Sequence, residues 1–173
     1  MATAGRYTRA MVSDWTCADL YDANEGRVQV VQGNFLSLGK RSRFSGPIET
    51  LSVFEDNPLV KAALREPGEG RVLVVDGGGS LRCALVGDRL AGFGSDNAWA
   101  GIVVHGCVRD RAVIDTIDIG VRCLGTTPRR SSKHGLGERG GTLCFSGVVF
   151  EPGAYLYADE DGILVSPTSL LDA

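Results

Sequence analysis

No stretch of about 18 consecutive apolar residues occurs in this chain, so the sequence offers no membrane-spanning helix and no membrane as partner. No C-x-x-C pair occurs among the five cysteines, Cys17, Cys83, Cys107, Cys123 and Cys144. Their odd number and wide spacing speak against a disulfide framework and fit a reducing compartment, with four of them in apolar surroundings as small core residues. Histidine is scarce: His105 and His134 stand too far apart for a zinc pattern, and structural or loop duty is expected of both. Basic clustering is missing too. Lysine and arginine total 18 against 21 acidic residues, the formal charge is −3, and the scattered cations create no positive field for nucleic acid. The densest basic segment, PRRSSKHG at 128–135, reads from its serines and glycine as a solvated loop with no function of its own. The start of the chain has no apolar run for a signal peptide, so the cytoplasm is the default location. Residues before Asp14 carry two arginines and no acid, which leaves a short organelle-targeting segment open.

What is present has ordinary globular texture. With 173 residues, 43% hydrophobic and 23% charged, the chain can fill one core, and its length argues against two independent domains. Residues 1–15 read as an N-terminal extension and 16–173 as a single domain without repeats or linkers. SDWTCADLYDANEG predicts a helix capped by Thr16 or Asp14 and stopped from Asn24 to Gly26. DNPLVKAALREPG predicts a second, with Asn57 at the N-cap, Pro58 at the first helical position and Pro67-Gly68 as its stop. Apolar, β-branched runs predict strands at 27–31, 47–54, 71–76, 101–106 and 121–127. The third and fourth are continuous rather than alternating, as expected of strands covered on both faces. Between them, DRLAGFGSDNAWA can supply a helix that Gly92 and Gly94 weaken. From Gly140 onward, Pro-Gly and Asp-Gly turns separate short runs in the manner of hairpins. The chain therefore reads as α/β, βα units packed in layers with a β-rich last third, rather than a simple Rossmann sheet.

Two segments place polar residues directly after buried strands: VVDGGGSLRCALVGD at 74–88 and HGCVRD at 105–110. DGGGS lacks both the lysine of a phosphate loop and the spacing of a dinucleotide turn, and reads as a tight turn with positive φ. The other segment ends a buried strand on Arg109 and Asp110. Such a pair is either a solvated helix start or a cation and a carboxylate aimed at a small molecule. Asp88 precedes Arg109 with 20 residues between, giving D-x20-R-D across one βα unit. That spacing resembles the signature of the class II pyruvate aldolases, the 4-hydroxy-4-methyl-2-oxoglutarate aldolase family, whose members also act as oxaloacetate decarboxylases. The resemblance extends through TCADLYDAN, FSGPIETLSVFEDN, VLVVDGGGSLRCALVGD, WAGIVVHGCVRD, DIGVRCLGTTP and LYADEDGILVS, covering residues 16 to 166. The regulators of ribonuclease activity A belong to the same RraA-like superfamily and resemble this chain in DGGGS and LYAD, but lack the aspartate after the arginine.

The resemblance implies a layered β/β/α swivelling fold and a homotrimer, or two trimers stacked into a hexamer, with sites at or near subunit boundaries. It implies a divalent-metal-dependent lyase acting on a small keto acid, 4-hydroxy-4-methyl-2-oxoglutarate or 4-carboxy-4-hydroxy-2-oxoadipate. Pyruvate and a second keto acid would leave through a metal-stabilised enolate, with oxaloacetate decarboxylation as a companion activity. Arg109 would bind the pyruvyl carboxylate and Asp110 would hold Mg²⁺ or Mn²⁺. Gly87, Asp88, Arg89 and Leu90 would contact substrate through N–H groups at a helix start, and Asp88 would also orient a metal-bound water as base for the 4-hydroxyl. The residue types suit these tasks: a guanidinium fork grips a carboxylate with two charge-assisted bonds, and a carboxylate with waters is a common magnesium holder. One departure is visible. Family members often carry a further acid three residues past the motif's aspartate; that position is Val113, with Asp115 two places on, so supporting contacts would differ or come from a neighbouring subunit. Asp159, Glu160 and Asp161 read as a turn before a strand rather than a metal site. Two rivals stand beside the lyase. A non-enzymatic regulator that binds and inhibits a ribonuclease is disfavoured by intact Asp88, Arg109 and Asp110, and a methyltransferase by the lack of a nucleoside fingerprint.

Overall fold

The computed structural model describes residues 14–171. Residues 1–13, which hold most of the expected N-terminal extension and the segment weighed for targeting, and residues 172–173 lie outside the described residues. The chain runs through α1 (Cys17–Ala23), β1 (Gln29–Val30), β2 (Leu36–Leu38), β3 (Phe44–Ser52), α2 (Pro58–Leu64), β4 (Val72–Asp76) and β5 (Ala84–Val86). It continues with α3 (Asp88–Asp96), β6 (Gly101–Val108), α4 (Arg111–Ile114) and β7 (Gly120–Thr126). The last third is all strand: β8 (Glu138–Arg139), β9 (Leu143–Phe145), β10 (Val148–Phe150), β11 (Tyr155–Ala158) and β12 (Ile163–Ser166).

One curled mixed sheet runs β1-β12-β11-β3-β4-β6-β7-β2, with β5 added to β6 and β8 to β3, while β9 and β10 form a separate hairpin. Its centre is parallel, β3 with β4, β4 with β6 and β6 with β7, because helices return the chain across one face. Alternation along the two continuous apolar strands sorts the core into layers. Leu73, Val75, Ile102 and Val104 point to the helical face and pack with Val60, Leu64 and Ala91. Val72, Val74 and Val103 point the other way, onto Phe145, Phe150, Leu156 and Val165. Strands covered on both faces thus separate a helical layer from a second β layer, giving the expected β/β/α stacking in a single domain.

The helix signals behave as their chemistry requires. Thr16 Oγ1 accepts the Asp19 N–H at 3.1 Å and caps α1. Pro58 opens α2 directly after Asn57. Differences from the sequence reading fall at short edge elements. The run at 27–31 contracts to Gln29–Val30, both exposed on the outermost strand, and β3 lies earlier than predicted because β11 pairs with it from Phe44. β2, β5, β8 and α4 are too brief to show a period. Among the cysteines, Cys17, Cys83, Cys107 and Cys123 are buried and Cys144 is exposed. Burial, with Cys107 nearby, pushes the Cys123 thiol up to about 11, which suits a core filler rather than a nucleophile. No helix among the described residues is long and apolar enough to cross a membrane.

Phe44 shows how tightly the layers meet. Its ring lies where side chains on Gly101 and Gly120 would otherwise stand, so glycines at the starts of β6 and β7 admit the aromatic between the strands. Gly120→Ala should drive its methyl into that ring and destabilise the fold by about 1–3 kcal/mol, the usual range for overpacking. The melting temperature should then drop by about 2–4 °C per kcal/mol. An unchanged melting curve would show that the ring has room to retreat.

Candidate active site

β5 and β6 run parallel with Val86 opposite Val108, and both then leave the sheet at the same level. Two residues beyond that pair lie Asp88, the first residue of α3, and Asp110, the N-cap of α4. The 20-residue spacing is therefore the length of one turn through α3 and back along β6. Arg109 N–H donates to Val86 O at 2.9 Å, which closes the two strand ends on each other. Asp110 adopts a left-handed conformation, φ 61° and ψ 36°, an unusual one that aspartate tolerates better than most side chains. Its Oδ2 accepts the Asp88 N–H at 3.3 Å and lies 3.6 Å from Arg109 Nε. A Cβ on Gly87 would come within 2.8 Å of that oxygen and 3.4 Å of Arg109 Cγ, so a side chain there would displace the Asp110 carboxylate. Arg89 N–H donates to Asp88 Oδ1 at 2.8 Å. Two of the N–H groups expected to face an incoming acid are thus already engaged by the site's own carboxylates.

These residues line one cleft of about 350 Å³, which holds all six expected positions, Gly87, Asp88, Arg89, Leu90, Arg109 and Asp110. Arg109 and Asp110 also border a second cleft of about 300 Å³ with Arg111, Thr126 and Thr127. Sequence reasoning missed the opposite wall. Asn57 and Lys61 come from α2 and its cap, and Arg130 and Lys133 come from the PRRSSKHG segment. That segment is a solvated loop, as predicted; what the sequence did not show is that it bends back over the start of α2, where Arg130 and Lys133 line the cleft. The density of positive charge was its one available signal. Asn57, expected to cap α2, makes no side-chain cap bond; its amide donates to Leu85 O at 2.9 Å and its Oδ1 accepts from Lys133 Nζ. Burial, then the proximity of Arg109 and Arg130, holds the Lys133 ammonium below the usual lysine range.

Other expectations resolve cleanly. Gly78 and Gly79 have φ of 67° and 73°, and Gly78 N–H donates to Asp76 Oδ1 at 2.8 Å, so DGGGS is a tight turn. His105 lies 3.1 Å from Asp76 through Nδ1 and stacks on Phe145 at 4.4 Å, while His134 contributes a backbone N–H to a loop. Asp159 accepts from Cys17 N–H at 2.6 Å and Asp161 N–H at 2.9 Å, which makes its segment a turn. Val113 is exposed, and Asp115 is spent on Gly39 N–H at 3.0 Å. Among the described residues no three His, Cys, Asp or Glu side chains gather as a metal cluster, so the cleft's carboxylates are Asp88 and Asp110. Both contacts of Asp110 fall on Oδ2, and a carboxylate 38% exposed with such sparse partners could hold a hydrated divalent cation.

A family model described as RraA-like, Aldolase/RraA, matches residues 16–165. The chain belongs to the RraA-like family. A relative in Aromatoleum aromaticum is 55% identical over 91% of this chain and 99% of its own, and another in Alkalilimnicola ehrlichii is 54% identical over 90% and 96%. Both carry the provisional name 4-hydroxy-4-methyl-2-oxoglutarate aldolase. Two solved structures superpose closely. One, named S-adenosylmethionine:2-dimethylmenaquinone methyltransferase from Geobacillus kaustophilus, has a TM-score of 0.88 at 49% identity and covers 92% of this chain and 99% of its own. The other, the RNA-processing inhibitor RraA from Thermus thermophilus, has a TM-score of 0.87 at 44% identity and covers 92% and 98%.

The electrostatics of this RraA-like cleft can be checked directly. A ¹³C NMR titration of the lysine side chains should place the Lys133 midpoint below the ordinary value of about 10.4. Arg130→Ala removes one neighbouring cation and should move that midpoint upward. A midpoint indistinguishable from the other lysines in both proteins would contradict the crowding of charge in the cleft.

Proposed function

We propose that this RraA-like protein is a divalent-metal-dependent lyase that cleaves 4-hydroxy-4-methyl-2-oxoglutarate or its 4-carboxy analogue, 4-carboxy-4-hydroxy-2-oxoadipate, with oxaloacetate decarboxylation as a second activity. The observation that carries the reading is the convergence of Arg109, Asp110 and the start of α3 in one cleft whose far wall is cationic. The aldolase names of its relatives support the same reaction class.

In this reading Arg109 holds the carboxylate next to the keto group with its planar fork. Mg²⁺ or Mn²⁺ at Asp110 would supply a Lewis acid for the keto oxygen, and Asp110 has the sparse contacts that a carboxylate sharing a cation with waters needs. The Leu90 N–H, third at the start of α3, is the donor for the acid once Asp88 and Arg89 N–H are engaged. Asp88 accepts the proton of the 4-hydroxyl through one water, the bond between C3 and C4 breaks, and its electron pair moves toward the keto oxygen. Protonation at C3 then gives pyruvate. Decarboxylation of oxaloacetate uses Arg109 and Asp110 and leaves Asp88 without a proton to take.

The assembly proposed with this activity is a homotrimer, or a hexamer of two trimers; exposed Phe54, Leu81 and Leu136 supply apolar surface for it. A second reading follows from the likeness to the Thermus RNA-processing inhibitor. It requires direct capture of a ribonuclease, unaffected by metal or keto acid.

Pyruvate release, coupled to lactate dehydrogenase and corrected for metal alone, should depend on Mg²⁺ or Mn²⁺ and vanish with EDTA. Asp110→Ala should abolish it, and Arg109→Ala should act mainly by weakening keto-acid recognition. Wild-type activity in either variant would overturn the assignment. Gly87→Ala provides a third test, because its φ of −124° suits alanine while the new methyl presses on Asp110. It should keep the wild-type melting temperature and lose turnover by about a hundredfold, the cost of a misplacement on the order of 1 Å.

A further inference from the structure

We infer that Asp56 is the positioning residue for the cationic wall of the cleft: its buried carboxylate fastens residues 132–136 so that Lys133, beside the Arg130 that a bridge to Ala84 sets in place, faces the substrate's anionic groups. The inference rests on the lyase reading for its substrate, but the arrangement itself is independent of it. Asp56 is 2% exposed and directly precedes Asn57 and α2. Its Oδ1 accepts from Ser132 Oγ at 2.9 Å and from His134 N–H at 2.6 Å, and its Oδ2 accepts from Leu136 N–H at 2.7 Å. The backbones meet as well, with Ser132 N–H donating to Glu55 O at 2.8 Å and Asn57 N–H to Ser132 O at 3.4 Å.

A carboxylate taken out of water is costly unless donors replace its hydration. Here the replacement comes from the loop, and no lysine or arginine pairs with Asp56 among the described residues. Burial pushes its carboxyl up, but the His134 and Leu136 N–H groups and the Ser132 hydroxyl outweigh this, and it sits below the usual carboxylate range. Between β7 and β8 the loop meets the rest of the chain at two isolated bridges, Arg130 beside Ala84 and Ser132 beside Asp56, and the Asp56 side chain adds the hold on the residues that follow, up to Leu136.

The same dipeptide also fixes the cation itself. Asn57 takes Lys133 Nζ on its oxygen and ties its amide to Leu85, one strand residue before the chain turns toward Gly87 and Asp88. The clamp and the catalytic strand end are therefore one connected piece. An amide at position 56 keeps one acceptor oxygen but turns a donor toward the Leu136 N–H or toward the Ser132 and His134 donors, so the isosteric change opens one side of the clamp without removing volume.

Asp56→Asn in the full chain tests this by two routes. Trypsin at a temperature well below unfolding should cut after Arg129, Arg130 or Lys133 at least about tenfold faster than in wild type, because local opening sets the rate. Equal rates would overturn the proposal. In the pyruvate-release assay, Asp56→Asn should raise KM about tenfold more than it lowers kcat, and should add less than about twofold in an Arg130→Ala, Lys133→Ala background. Losses that multiply across the two backgrounds would make Asp56 a structural residue only. Ser132→Ala, which removes one donor, should show smaller effects of the same kind should Asp56→Asn fold poorly. A wild-type protein without turnover would sink the lyase reading alone, and the tryptic comparison would still decide for or against the clamp.

Discussion

The register of β5 against β6 is the constraint from which the site follows. Val86 opposite Val108 brings two chains out of the sheet side by side, one into α3 and one into the left-handed turn at Asp110. Ile102 and Val103 hold β6 in register by facing opposite cores, and β5 joins β6 beyond them through an irregular pairing, Ala84 opposite Cys107 and Val86 opposite Val108. Hydrophobic sorting thereby fixes the separation of two carboxylates that never touch that core. Gly87 then matters for a local reason, because a side chain there would press on the carboxylate of Asp110.

Charge is distributed against the average of the chain. A protein of formal charge −3 gathers Lys61, Arg89, Arg109, Arg130 and Lys133 around Asp88 and Asp110. Burial first, and then these neighbouring cations, hold the Lys133 ammonium below the usual lysine range. The loop that supplies two of these cations needs a holder that is not itself a cation, and Asp56 meets that need through backbone donors.

How much of this was legible depended on whether a signal was local. The continuous strands at 71–76 and 101–106, the Thr16 cap and the proline start of α2 could be read because each rests on a pattern within a few residues. The D-x20-R-D spacing was readable through its resemblance to a family signature, and the structure shows it to be one passage through α3 and back along β6. β5 was not, since three residues carry no period and its identity comes from pairing with β6. Asn57 was placed correctly as a cap position, yet its side chain serves Leu85 and Lys133, partners 28 and 76 residues away. The basic segment was readable as a loop, but nothing near 128–135 announces its long-range contacts with Asp56.

The likenesses carry names for an aldolase, a methyltransferase and an RNA-processing inhibitor on what is nearly the same backbone, so the fold by itself selects none of these activities. Selection must lie in side chains at the ends of β5 and β6 and in whatever faces them. Arg109 and Asp110 are 43% and 38% exposed, and in water a single arginine grips a carboxylate weakly. Their grip strengthens only as water leaves the cleft. With Val113 in place of an acid and Asp115 committed to Gly39, the chain adds no further carboxylate from α4 to the reacting end. The balance of charge lining the cleft is therefore cationic, five lysines and arginines against Asp88 and Asp110.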